Sequence, residues 1–455
     1  MQFKFRWLEL WLLIVATAVV TLMLFTFESS QGRTWTNDMW WLIGGFGGAF
    51  FVVHIFLCAL APYADQVLLP VASVLNGIGL LVIYRLDTAN NTHLASRQLM
   101  WTAASLVLLL LTLVAVRDHR RLSRYSYLLG VVGLFLLALP LVWPQPADSD
   151  ARIWISVGPF SIQPGEFSKI LLLLFFAQLL ASKRSLFTVA GYRFLGLQLP
   201  RLRDLAPILV VWAIAILIMA ATNDFGPALL LFSTVLTMIY MATNRLSWLL
   251  IGVVLVAVGG TAVYQISPKI QTRVANFRDP VGNIDTSYQL AQSLFGMSWG
   301  GLLGTGLGKG HPDLVPVAHA DFILAAVGEE IGFVGLSAVL VLFAILISRG
   351  FRAALRVRDS YGKLLAAGLA MTMTIQIFVV TAGISALMPM TGLTTPFMSA
   401  GGSSLMANYI LVAIILRISN DSRRPSAVED TLSYSRLSDS AATGHFPAAQ
   451  EVSAR

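Results

Sequence analysis

"VPVAHADFILAAVGEEIGFVG", residues 315–335, starts as a polar connection and turns into a membrane helix. From Phe322 the chain stays apolar to about residue 347. That exceeds the roughly 20 residues a helix needs to cross a bilayer. Yet the stretch carries His319, Asp321, Glu329 and Glu330. A charge at the centre of a span costs roughly 2.5–3.5 kcal/mol, so such residues mark function or deliberate pairing.

The rest of the chain agrees with a membrane reading. Of its 455 residues, 56% are hydrophobic and 12% charged. Soluble domains carry about twice that share of charge. The pattern predicts an all-α polytopic membrane protein with helices near 8–27, 38–58, 66–84, 98–116, 125–143, 166–182, 205–221, 226–242, 246–265, 322–347, 363–386 and 402–418. A β-barrel would show short alternating segments instead. The opening run, MQFKFRWLELWLLIVATAVV, has no small-residue cleavage site after it and reads as an uncleaved first helix. Cys58 stands alone, which excludes a disulfide within the chain.

The net charge of +8 does not point to nucleic acid, because Lys and Arg sit in the loops between spans. With the N-terminus inside, Arg117, Arg120, Arg121, Arg124, Arg245, Arg349, Arg352 and Arg356 fall on the cytoplasmic side. Arg33, Arg85, Arg97 and Arg152 fall outside, as does the one large connection, 266–321. Both termini are then expected in the cytoplasm, with a polar, Ser-rich tail from 421 expected to be disordered.

Polar residues gather in three further places. In SIQPGEFSKILLLLFFAQLL (161–180), Glu166 and Lys169 share a helix face. They suit either a site or an N-terminal acid with a snorkelling lysine. In ATNDFGPALLLF (221–232), Asp224 is placed for a site or for an N-cap. In GISALMPMTGLTTPFMSAGGSSLMAN (383–408), Pro389, Gly392, Pro396, Gly401 and Gly402 will not sustain a regular helix. Broken backbone at membrane depth survives where protein or a wet cavity surrounds it. Ser399, Ser403 and Ser404 can supply the missing hydrogen bonds.

Three stretches read in order, IQPGEFSKI, YQLAQSLFGMSWGGLLGTGLGKG…VPVAHADFILAAVGEEIGFVG and LMPMTGLTTPFMSAGGSSL, resemble the SEDS family (shape, elongation, division, sporulation). The resemblance divides the chain into an extra N-terminal hairpin (1–62), a ten-helix core (63–420) and the tail (421–455). The extra pair is most like the actinobacterial RodA-type branch. One departure is Ile153, where the family commonly has Arg before the Trp.

The resemblance implies a peptidoglycan glycosyltransferase that polymerises lipid II on the outer face of the cytoplasmic membrane during cell elongation. It also implies release of undecaprenyl diphosphate and a class B penicillin-binding protein, a transpeptidase, as partner. The family's essential loop aspartate falls on Asp321, expected as the base and paired at rest with Lys169. Substrate contacts are expected from Lys169, Glu166, Arg152, Arg85, Arg97, His319, Gln289 and Ser403. Support is expected from Glu329, Glu330, Asp224, Pro396, Gly401 and Gly402. A diphosphate commonly brings a divalent cation, Mg2+ or Mn2+, though the sequence shows no dedicated cage. The competing readings are a lipid II flippase or other lipid transporter, a scaffold for the transpeptidase, and a division-specific FtsW-type polymerase. The acids lie at helix mouths and no inverted repeat with matching broken helices is visible, which weighs against a transporter.

Overall fold

The computed structural model describes residues 3–424, apart from 36, 145–150, 159, 184–192, 195–196 and 199–201. The expected tail beyond 424 lies outside the described residues. Among those described, ten helices are long and apolar enough to cross a membrane, and two shorter apolar helices complete the predicted spans.

In chain order the spans are α1 (Trp7–Ser30), α2 (Asn37–Leu60), α3 (Leu68–Asn90), α4 (Leu94–Ala115), α6 (Ser126–Val142), α7 (Pro164–Ser182), α8 (Leu202–Ala221), α9 (Phe225–Thr243), α10 (Ser247–Ile266), α13 (Ile323–Arg356), α14 (Ser360–Ile384) and α15 (Gly402–Arg423). A short helix, α5 (Arg120–Arg124), precedes α6, and a small hairpin of Ile155–Val157 with Phe160–Ile162 precedes α7. Their ends follow local chemistry. Pro164 sits at the first turn of α7, where its missing N–H costs nothing. The Asp359 carboxylate caps α14 by accepting from Gly362 N at 2.7 Å. Asn244 closes α9 in the left-handed conformation, φ 55°.

The predicted break at 223–227 is real: Asn223 turns with φ 62° between α8 and α9. The connection 266–321, expected as a loop, holds two more helices, α11 (Pro268–Arg278) and α12 (Ile284–Gly300). The irregular segment 385–401 lies between α14 and α15, as the prolines and glycines demand. Helices α3, α7, α14 and α15 are the most buried and form the centre.

Both ends of the described chain meet at one end of the bundle. Arg6 bonds Glu9, Ala61 O (2.6 Å) and Asp65 O (3.0 Å), while Arg423 bonds the Asp65 carboxylate. The opposite end carries 266–321. There α13 is broken at Gly332, with φ 73° and ψ −174°. Residues 301–306 fill the break: Thr305 N and Gly306 N donate to Glu329 O and Glu330 O, and Phe333 N and Val334 N donate to Gly301 O and Leu302 O. A Cβ on Gly332 would run into Gly304 N, so only glycine fits both the backbone conformation and the approach.

Candidate active site

Helix α11 starts at Pro268 and places Lys269 and Arg273 one turn apart on a common face. Helix α12 runs beside it and brings Gln289. The end of the connection brings Asp321, and the 385–401 segment brings Gly392. Together they line a cavity of about 530 Å3. The Arg273 Nη1 donates to Thr391 O at 2.9 Å, which fixes the guanidinium against this wall. Asp321 does not cap α13; Phe322 holds that position without a side-chain bond. Burial pushes the Asp321 carboxyl up to about 6, against the pull of Arg273.

Lys169 stands elsewhere. Its Nζ lies 2.6 Å from Glu166 Oε2 and 3.5 Å from Gln376 Oε1. The expected Lys169–Asp321 pair is therefore not formed: the i,i+3 spacing of α7 gives Lys169 a nearer acid. Lys169 and Glu166 line a narrow cavity of about 20 Å3 that shares no lining residue with the Asp321 cavity. Asp224 lines the same narrow cavity. It makes no capping bond to α9, and burial with the neighbouring Glu166 charge pushes it up to about 6, against the pull of Lys269, Arg273 and Lys169.

Arg85 also differs from expectation. It is not on a loop, because α3 runs on to Asn90. It is buried, with Nε 2.9 Å from Glu330 Oε1 and Nη2 donating to Gly310 O at 2.8 Å. Glu329 accepts from His311 N at 2.6 Å. Glu329 and Glu330 thus hold the connection in shape, and Arg85 is bonded into the same cluster.

Arg97 is likewise in a helix, the first turn of α4, and with His319, Trp101 and Gly402 lines a third cavity of about 360 Å3. Burial lowers the His319 imidazole below its ordinary value, against the Asp87 charge. Between the Arg97 and Asp321 cavities the 385–401 segment is bonded to the end of the connection: Ala400 N donates to His319 O at 2.8 Å, and the Ser399 hydroxyl donates to Ala320 O at 2.6 Å. Gly401 N donates to Gln98 Oε1 at 3.2 Å, and Ser403 Oγ accepts from Gln163 N at 2.8 Å. Ser403 is thus held by the chain entering α7, and Gly401 lines the Arg97 cavity beside Gly402. Arg152 is exposed, and its N–H donates to Thr222 O at 3.1 Å; it lines neither cavity.

The sequence model of the cell cycle protein family FtsW/RodA/SpoVE matches residues 65–424. The chain belongs to that family. This FtsW/RodA/SpoVE protein is 48% identical over 427 residues to the peptidoglycan glycosyltransferase RodA of Mycobacterium leprae, covering 92% of this chain and 91% of the relative. It is 31% identical to the stage V sporulation protein E of Bacillus subtilis, over 79% of this chain and 98% of the relative. A chain in a solved peptidoglycan synthase complex, described as coordinating polymerization and crosslinking, superposes with a TM-score of 0.65 at 26% identity, over 80% of this chain and 99% of that one.

The FtsW/RodA/SpoVE match starts beyond α1 and α2. Its residues do not fit a built metal centre near Asp321: the cavity is lined by one carboxylate, Asp321, against two cations, Lys269 and Arg273. Those two cations are what sequence reasoning missed. Their signal was a basic i,i+4 pair directly after a helix-starting Pro268, in a connection read as irregular.

Proposed function

We propose that this chain polymerises lipid II into glycan strands as a RodA-type peptidoglycan glycosyltransferase. The observation that carries the proposal is Asp321, with its carboxyl raised to about 6, facing a cavity that Lys269 and Arg273 also line. Three demands of the chemistry are met there. A carboxylate raised toward neutrality is a better general base than one at its reference value of about 3.9. It takes the proton of the attacking 4-hydroxyl as that oxygen bonds the anomeric carbon of the growing chain. Lys269 and Arg273 stabilise the negative charge of the departing undecaprenyl diphosphate. The cavity also lies at helix mouths, where two lipid-anchored substrates can meet.

Basic loops on the other side support a reading with the termini in the cytoplasm and this cavity outside. Such an enzyme makes uncrosslinked strands, so a class B penicillin-binding protein is its natural partner. The test is purified protein with labelled lipid II. Polymer from wild type and none from Asp321→Asn is the expected result. Lipid crossing a liposome without polymer would make the chain a transporter, and neither activity would leave a scaffold.

A further inference from the structure

We infer that the N-terminal hairpin, α1 and α2, is a positioning element for the active site, acting through the glycine-rich turn 301–310. Three contacts join the hairpin to that turn. Ser30 Oγ lies 2.7 Å from Leu307 O and 2.7 Å from Phe27 O of its own helix, so its one proton is shared between the two, and Gln31 Nε2 donates to Gly308 O at 2.7 Å. The half-buried Leu307 side chain packs against a separate apolar cluster formed by Leu24 and Phe27 of α1, Ile43 of α2 and Leu81 of α3. A Cβ on Gly308 would meet Ser30 Oγ at 2.6 Å, so the approach is close.

The turn is where such a clamp has leverage. Helix α12 enters it carrying Gln289, and Asp321 follows it by eleven residues; both line one cavity. Two walls of that cavity thus hang from one turn. On its other side the turn is stitched into the α13 break by Thr305 and Gly306. Helix α3 grips both partners with adjacent residues: Tyr84 OH donates to Glu28 Oε1 of α1 at 2.9 Å, and Arg85 holds Glu330 and Gly310. The hairpin itself is anchored at its far end by Arg6, which is buried among Glu9, Ala61 O and Asp65 O. His54 Nδ1 of α2 lies 2.8 Å from Glu9 Oε1 and ties the two helices together. A strut fixed at one end and bonded to the turn at the other restricts how far α12 and Asp321 can separate.

Ser30, Gln31 and Leu307 are positioning residues, since none of them lines the Asp321 cavity. The inference rests on the glycosyltransferase reading for its catalytic consequence but not for the clamp. The test uses the full chain in nanodiscs, with hydrogen exchange over 301–314 and steady-state polymerisation of lipid II measured side by side. Gln31→Glu removes the donor with little change of shape, and Ser30→Ala removes the other. Together they are expected to speed exchange at Thr305 and Gly306 about tenfold or more, as loss of two ordinary hydrogen bonds would. They should lower kcat, by up to about a hundredfold for a displaced catalytic group, with KM little changed. Ser30→Thr with Gln31→Lys keeps both donors and should restore exchange and kcat. Unaltered exchange in the Ser30→Ala/Gln31→Glu protein overturns the clamp. Faster exchange with unaltered kcat overturns its positioning role. If wild type makes no polymer, the glycosyltransferase reading fails, and the exchange data alone decide whether the clamp exists.

Discussion

Arg273 and Asp321 flank Gly392 from two directions: a Cβ added there would lie 3.2 Å from Arg273 Nη2 and 3.6 Å from Asp321 Oδ2. The acid and its cation come from opposite ends of the 266–321 connection and are brought to one glycine of the 385–401 segment. Gly392 has φ 76°, so the backbone itself keeps a side chain out of that space.

Asp321→Asn should abolish polymerisation, a loss of about 10²–10⁴-fold or more for a missing general base. It should not destabilise the protein. Burial raises the Asp321 carboxyl in the folded chain, so its charge is a burden above about pH 6, and a neutral isostere removes it. Lipid II polymerisation and a melting curve on the same preparation at pH 7.5 check both halves.

The rate of polymerisation should fall on the acid side as pH drops through about 6, where Asp321 takes up its proton. Arg273 pulls that value down, so Arg273→Ala should move the acid limb to higher pH as well as raise KM. A full pH–rate profile for both proteins, read for the position of the limb, is the measurement. Asp224 titrates in the same range, and retention of the limb in Asp224→Asn assigns it to Asp321.

Lys169→Met leaves Glu166 buried without its partner and should cost about 3–5 kcal/mol. The double substitution Lys169→Met/Glu166→Gln removes both charges and should recover most of that loss. Chemical denaturation of the three proteins in one detergent measures the coupling. Independent, additive losses would mean that the pair is not a unit.

At the opposite end of the bundle, His119 lies between two acids: Nε2 is 2.9 Å from Asp359 Oδ1 and Nδ1 is 2.8 Å from Asp421 Oδ2. Burial opposes its charge, but Asp359 and Asp421 outweigh burial and raise the imidazole to about 9. A histidine raised on folding contributes its stability fully below its unfolded value of about 6.5 and loses it as pH climbs through about 9. Thermal stability should therefore decline between about pH 6.5 and 9, and His119→Gln should flatten that dependence.

Gly332→Ala should be among the most destabilising single-methyl additions in the chain, because it meets both an unfavourable φ and the main chain of Gly304. A loss of about 1–3 kcal/mol is expected from backbone strain alone. A melting-temperature comparison with Gly259→Ala, a helical glycine of α10 whose added Cβ would meet nothing within 4 Å, separates this effect from a general intolerance of added methyls.

The spans were legible because apolar runs of membrane length carry their own signal, and their predicted centres all coincide with helices. Asp321 was legible through the family motif and through its place at a helix mouth. Its cation was not. Helix α11, PKIQTRVANFR, is short and polar, so hydropathy is silent about it. Lys169 was given to Asp321 because both are charges near the same membrane surface, although the spacing on α7 already offered Glu166. Arg85 was read as a loop residue because α3 was expected to stop at 84. A buried Glu330 partner lets that helix carry its arginine five residues before its end.

The seam between the 301–306 segment and α13 is made chiefly of four main-chain hydrogen bonds. Apart from Thr305, whose Oγ1 also donates to Glu329 O at 3.2 Å, no side-chain replacement along it can delete a donor or an acceptor unless it introduces proline. What the seam screens is conformation: a residue is admitted there by the torsion it tolerates, and its chemical character counts for little. Variation in that part of the molecule should be read as a record of backbone shape.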